Sequence, residues 1–182
     1  TAEGIFQAMT ASHRGAHLSR LLTTFAKSGQ DEIRTIDVNA ALQSTADLAE
    51  GALTGHTIDL SLSSGLPDVR VAAPALESAV LNLILNSRDA MPHGGTITIR
   101  SSLEQDTVWI EITDSGTGMD EDTVARVRQP FYTTKSSDKG TGMGLAIVAA
   151  LMEISGGELD ISSRPGVGTT VRMGFPAASA GR

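Results

Sequence analysis

The sequence predicts an α+β fold, a mixed β-sheet with helices on one face and a long helix standing in front. Three observations carry that expectation. Alternating stretches such as "TITIR" and "TVWIEIT" are interleaved with stretches of helical apolar spacing such as "LESAVLNLILNSRDAM". Glycine- or proline-bearing turns such as "HGGT" and "RPGVGT" separate them. With 40% hydrophobic but only 3% aromatic residues, the 182-residue chain can bury a core built mainly of Leu, Ile, Val and Ala.

The elements follow in order. From Gly4 to Lys27, Ile5, Phe6, Met9, Leu18, Leu21, Leu22 and Phe25 recur at helical spacing until "SGQ" stops them, giving one amphipathic helix loosened at Gly15. Its apolar side needs a partner helix or the body of the same domain. "TIDVN" reads as a short strand entering a helix that Asp37 or Asn39 caps and that stops near Gly55. "TIDLSLS" alternates as a half-buried strand, and "GLPDVRVAA" holds another. Pro74, at a first helical position, opens a mostly buried helix carrying Leu76, Val80, Leu81, Leu83, Ile84 and Leu85.

"GTITIRSSL" and "DTVWIEITD" form a hairpin turning near Glu104–Asp106, and its second strand delivers the chain to Asp114. The polar stretch from Ser115 to about Lys139 is longer than loops ordinarily run, so it is functional or mobile. "TGMGLAIVAALMEISGG" is a helix with a glycine-rich entrance, and "ELDISSRPGVGTTVRMGF" gives two strands around a turn. The expected division is a helical arm over 1–30, a domain over 31–176 and a disordered tail over 177–182.

A formal net charge of −7 argues against a nucleic-acid surface, which needs clustered Lys and Arg. Any anionic ligand is then held by local design. The absence of cysteine excludes disulfides and thiolate chemistry and is compatible with a reducing compartment, so a cytoplasmic location is expected. No apolar run approaches the ~18 residues of a membrane span, and "TAEGIFQAMT" lacks the features of a signal peptide.

"GTGM" occurs twice, in "TDSGTGMDEDT" (113–123) and in "DKGTGMGLAIV" (138–148). The first follows a strand and a carboxylate, whereas the second opens an apolar helix, so they are not copies of one unit. At the second, Gly140, Gly142 and Gly144 let a phosphate chain lie against the unpaired N–H groups of a helix N-terminus, although a plain tight turn has the same letters. A dinucleotide-binding turn does not fit, because a long polar loop stands where it needs a strand. The chain also lacks Gly-x-x-x-x-Gly-Lys-Ser/Thr. At the first site, Gly116 and Gly118 would admit a flat ring while Asp114 accepts from an exocyclic amine such as that of adenine. An Asx turn is the alternative.

Asn82 and Asn86 share one face of the apolar helix, with Arg88 and Asp89 at its end. Their amides either find neighbouring partners or ligate a hard cation such as Mg²⁺ that also holds phosphate oxygens. Between the two turns, "RQPFYTTKSSDKG" brings Phe131, Tyr132, Thr133, Thr134, Lys135 and Lys139, a set able to close over a nucleotide or to form a solvated loop.

In this order the motifs resemble the catalytic ATP-binding domain of sensor histidine kinases, in the superfamily shared with type II topoisomerases, Hsp90 chaperones and MutL proteins. "LNLILNSRDAMPHGG" resembles the N box of that family, "DSGTGM" its first glycine box, "PFYTTK" its F box, "GTGMGLAIV" its second glycine box and "RPGVGTTV" a third. The similarity runs from about residue 36 to 176.

The resemblance implies a Bergerat-type α/β sandwich that binds ATP and Mg²⁺. Asp114 would recognise the adenine amine, and Asn86, with Asn82, would hold Mg²⁺ against the phosphates. Nucleotide contacts are implied at Arg88, Asp89, Met119, Phe131, Thr134, Thr141, Met143 and Leu145. Gly116, Gly118, Gly140, Gly142 and Gly144 would shape the pocket and a lid over about 119–143, Lys135 would reach phosphate, and Thr169 would support the adenine side.

The implied reaction passes the γ-phosphoryl group to a histidine on a dimerisation domain. A response-regulator receiver domain is the further implied partner, and the full-length protein is expected to be a homodimer; this segment is expected to be cytoplasmic even where the parent protein is membrane-anchored. "RGAHLSRLLTTFAKSGQ" (14–30) resembles the second helix of the dimerisation hairpin in hybrid-type and nitrogen-regulator-type kinases, so the acceptor-bearing first helix is expected to be absent.

His13, followed by Arg14 and Gly15, departs from the acid and proline that follow the family acceptor, and His17, His56 and His93 match nothing either. The chain alone is therefore not expected to autophosphorylate. Glu77 leaves hydrolysis open, and "PFYTTK" favours the kinase. Ala73 stands where relatives usually have a helix-capping Asp. The competing reading is a pseudokinase or phosphotransfer scaffold of the same fold.

Overall fold

A computed structural model describes residues 33–133 and 142–178. The expected helix over 1–30, with His13 and His17, lies outside the described residues, as do Thr134, Lys135, Gly140, Thr141 and the residues beyond 178.

Strand β1 (Arg34–Ile36) leads into helix α1 (Val38–Glu50). Asp37 is the cap, its Oδ1 accepting from Asn39 N at 2.8 Å and Ala40 N at 3.3 Å. Asn39, the other capping candidate, instead joins the sheet: its Nδ2 donates to Ser63 O at 2.8 Å and its Oδ1 accepts from Ser101 Oγ at 2.7 Å. Strands β2 (His56–Leu62) and β3 (Val69–Val71) follow, then helix α2 (Ala73–Ala90). This helix begins one residue before Pro74. The capping position is Ala72 rather than Ala73, and no side chain caps it. Proline fits this first turn because its missing N–H would have had no partner there.

Strands β4 (Gly95–Glu104) and β5 (Thr107–Asp114) form the expected hairpin, with Gln105 at φ 55 in its turn. The polar stretch after Asp114 is not all loop, for Asp120 caps a short helix, α3 (Glu121–Arg126). Helix α4 (Gly144–Ile154) and strands β6 (Glu158–Arg164) and β7 (Gly168–Pro176) complete the described fold. Ala177 N donates to Asp106 O and Ala178 N to Asp68 O, so residues 177 and 178 belong to the fold rather than to the tail expected there.

The main sheet has the order β2-β4-β5-β7-β6, with β2 and β4 parallel and the other pairs antiparallel, while β1 and β3 pair separately. The expected mixed sheet is therefore present. Strand alternation buries Ile97 and Ile99, Val108, Ile110 and Ile112, and Val171, Met173 and Phe175 against Leu76, Val80 and Ile84 of α2 and Val148, Leu151 and Met152 of α4. Each such side chain contributes about 1.5–3 kcal/mol on burial. The opposite face is polar. Arg100, Glu111 and Arg172 are neighbours across β4, β5 and β7, and the Arg172 guanidinium lies 4.4 Å from the Trp109 ring centre. Among the described residues no helix is long and apolar enough to cross a membrane.

Candidate functional site

A cavity of about 510 Å³ opens between α2, the end of the sheet and the two glycine turns, a size common among small-molecule sites. Its floor is Asp114, the last residue of β5, which is 8% exposed. Asp114 Oδ1 accepts from Gly116 N at 2.9 Å and from Thr169 N at 3.3 Å. The Asx turn is therefore real, yet it does not use up the carboxylate: the second oxygen accepts no bond from the described residues.

The first glycine turn is tied on both sides. Thr117 N donates to Ala90 O at the end of α2, Gly166 N to Thr117 O, and Met119 N to Ser163 Oγ at 2.8 Å. Gly116 leaves no room for a side chain, since a Cβ there would lie 2.6 Å from Ala90 Cβ. Gly118 adopts φ +64 with Arg164 O where a Cβ would stand, so glycine is required for both conformation and space.

At the second turn Gly142 O accepts from Phe131 N at 3.0 Å, which holds Phe131 beside the start of α4. Helix α4 has no side-chain cap, and its first residue, Gly144, packs on Asn86, where a Cβ would lie 3.1 Å from Nδ2. The start of α4 therefore lies beside the wall that carries the asparagines.

Asn82, Asn86, Arg88 and Asp89 all line the cavity from α2. Arg88 pairs with its neighbour, donating from Nε and Nη2 to Asp89 Oδ1 at 3.0 and 2.7 Å. Gly118, Met119, Gly142, Gly144, Leu145 and Thr169 also line it, whereas Gly116 and Met143 do not. Phe131 does not either and is 70% exposed. Tyr132 and Thr133 take its place in the lining, with the Arg126 guanidinium 4.4 Å from the Tyr132 ring centre.

Thr123 and Val127 also line the cavity, and sequence reading missed them. The available signal was Asp120 three residues ahead of Thr123, a helix-start pattern inside the supposed loop. Glu77 is exposed, and among the described residues no glutamate lines the cavity. His56 is occupied elsewhere, its ring nitrogens lying 3.0 Å from Thr54 O and 2.8 Å from Met91 O. Among the described residues no group of three or more His, Cys, Asp or Glu is placed to hold a metal. The oxygen-bearing side chains that line this wall include the neutral amides of Asn82 and Asn86.

Residues 72–179 match the family described as histidine kinase-, DNA gyrase B-, and HSP90-like ATPase. The chain belongs to this ATPase family. Relatives of this ATPase-family chain include sensor kinase CckA of Brucella abortus (strain 2308), 32% identical over 91% of the chain, and sporulation kinase E of Bacillus subtilis (strain 168), 34% identical over 76%. The chain spans 19% of the length of each.

Among solved structures, full-length ShkA in complex with AMPPNP superposes with a TM-score of 0.77 at 26% identity, covering 93% of this chain and 38% of that one. The nucleotide-free catalytic domain of histidine kinase ThkA gives 0.72 at 23% identity, covering 80% of this chain and 96% of that domain, a likeness of fold. The ATPase-family sandwich expected from the motifs is thus the fold observed.

Proposed function

We propose that this chain is the ATP-binding catalytic part of a two-component sensor histidine kinase. The observation that carries the reading is Asp114, a buried carboxylate on the cavity floor whose second oxygen is left for a donor from a ligand. An adenine amine is such a donor, and Ile112, Leu145 and Val171 line the same cavity as apolar walls for a flat ring. Family membership and the sensor kinases among the relatives support the same reading.

Asn86, with Asn82, would hold Mg²⁺, since neutral amide oxygens suit a hard cation whose other ligands are phosphate oxygens and water. The ion would supply charge neutralisation along the phosphates. The uncapped start of α4 would offer N–H groups to the same phosphates, and Lys135 would reach phosphate. In the reaction, an imidazole nitrogen of a histidine on the dimerisation domain forms a bond to the γ-phosphorus while the bond to the β-phosphate oxygen breaks, and ADP leaves. This chain contributes by holding the nucleotide in line, so its share of catalysis is positioning and electrostatic stabilisation.

The exposed Glu77 supports transfer over hydrolysis, because a water-activating base must reach the cavity. The partners in this reading are the dimerisation domain of a homodimeric full-length protein and a response-regulator receiver domain.

Calorimetric titration with ATP and ADP, each with and without Mg²⁺, tests the reading. Magnesium-sensitive binding followed by phosphorylation of a supplied dimerisation domain is expected. Absence of binding in every condition would overturn it.

A further inference from the structure

We infer that Ser163, acting through Thr169, sets the hydrogen-bonding polarity that the cavity presents to the edge of a bound base; the inference rests on the proposed adenine site. Asp114, Thr169 and Ser163 form one row across β5, β7 and β6, each the register partner of the next. They lie on the helix-facing side of the sheet that also buries Ile112, Val171 and Ile161.

Ser163 Oγ has three polar neighbours: Met119 N at 2.8 Å, Gly168 O at 2.9 Å and Thr169 Oγ1 at 2.9 Å. A hydroxyl has one proton to give and two lone pairs that accept. Met119 N–H occupies one acceptor position. Gly168 O can only accept, so the Ser163 proton goes to it; otherwise two oxygen lone pairs would face each other at 2.9 Å. The remaining lone pair takes the Thr169 proton. Ser163 is then saturated, and Thr169 keeps only lone pairs to offer.

Thr169 lines the cavity beside the Asp114 carboxylate, so both side chains present acceptors at this end. A base with an exocyclic amine on that edge fits, whereas a base with a carbonyl there meets oxygen on both sides. Ser163 does not line the cavity and is therefore a positioning residue.

The test is a calorimetric comparison of ATP and inosine triphosphate on the 182-residue chain, since the second nucleotide replaces the amine by a carbonyl, with a proton on the adjoining ring nitrogen, and keeps the ribose and phosphates. Wild type is expected to prefer ATP. Ser163→Ala frees the Thr169 proton to turn toward a carbonyl and should narrow that preference about 2- to 10-fold, the range of one neutral hydrogen bond. Ser163→Thr, which keeps the hydroxyl, should preserve it. Loss of the Met119 N partner weakens both nucleotides together and cancels in the ratio. In a Thr169→Val background, Ser163→Ala should leave the ratio unchanged.

An unaltered ratio in Ser163→Ala, or the same narrowing when Thr169 is already Val, overturns the role of Ser163 while leaving the adenine site standing. Equal binding of the two nucleotides by wild type overturns the adenine reading and this inference together. Should Ser163→Ala bind neither nucleotide, Ser163→Cys, with its weaker donor and acceptor, carries the same comparison.

Discussion

Thr169 N lies 3.3 Å from Asp114 Oδ1 across 55 residues of sequence, and the same carboxylate oxygen takes Gly116 N from the adjoining turn. Two elements far apart in the chain thus hold one acidic group at the end of the sheet. The second carboxylate oxygen is what distinguishes a ligand-binding role from a turn.

Asp114→Asn tests that distinction. The amide oxygen can still accept from both backbone groups, so the fold should survive. The charge is lost, and an amide N–H₂ replaces an acceptor. Adenine-nucleotide affinity is expected to fall about 10- to 150-fold, the range for a hydrogen bond to a charged group. Calorimetry that finds unchanged affinity removes Asp114 from base recognition.

Asn86→Ala addresses the phosphate end. With its amide gone, the difference between titrations with and without Mg²⁺ is expected to shrink. Since Gly144 packs on this side chain, a circular dichroism melt should accompany the titration to separate loss of the ligand from loosening of α4. A magnesium dependence equal to that of wild type would count against the assignment.

Gly118→Ala should be costlier than Gly65→Ala. Both glycines have positive φ, +64 and +71, but a Cβ at 118 runs into the Arg164 carbonyl whereas one at 65 meets nothing. Gly65→Ala is expected to cost about 1 kcal/mol from conformation alone, and Gly118→Ala to exceed it by about 1–3 kcal/mol from overpacking. Urea midpoints measure the difference, and equal midpoints would contradict the close approach.

Asp120 gives α3 a pH dependence. Hydrogen bonds from the side chain and backbone of Thr123 hold its carboxyl below the ordinary value of 3.8. A depressed folded-state value means that the capping stability is present above the unfolded value and is lost as pH falls through the folded one. The Asp120 carboxyl carbon should therefore titrate below 3.8 by nuclear magnetic resonance, with faster amide exchange in α3 at lower pH. A midpoint at or above the ordinary value would sink the argument.

Arg172→Ala is expected to shift tryptophan emission to longer wavelength, because Trp109 is the only tryptophan and the guanidinium covers its ring at 4.4 Å. The accompanying loss of stability should be about 1–2 kcal/mol, because the half-buried Arg172 loses its ion pairs to Glu104 and Glu111 together with the ring contact. An unmoved spectrum would mean that the stack does not persist in solution.

Much of this fold was legible because its elements signal locally. Leu76, Val80 and Ile84 repeat on one face of α2, and alternation in β4 and β5 marks the hairpin. That Asp114, Asn82 and Asn86 share one cavity was legible, since carboxylates and amides among glycines and apolar residues require an explanation. What escaped was either too short or too distant. Helix α3 has six residues, too few to establish a period. Ala177 and Ala178 are ordered by the carbonyls of Asp106 and Asp68, far back in the chain. The role argued for Ser163 comes from strand register, which no residue type encodes by itself.

Among the described residues, the last strand in sequence is not the last strand of the sheet. Because β7 lies between β5 and β6, the sheet cannot close until residues 168–176 have been synthesised. Until then the apolar side chains of β5 and α4 lack Val171, Met173 and Phe175 as neighbours. A nascent chain therefore carries an uncovered core until β7 has emerged and gains Thr169, one wall of the site, in the same step. A frameshift just before residue 168 would leave every earlier motif intact and yield a product that neither folds nor binds.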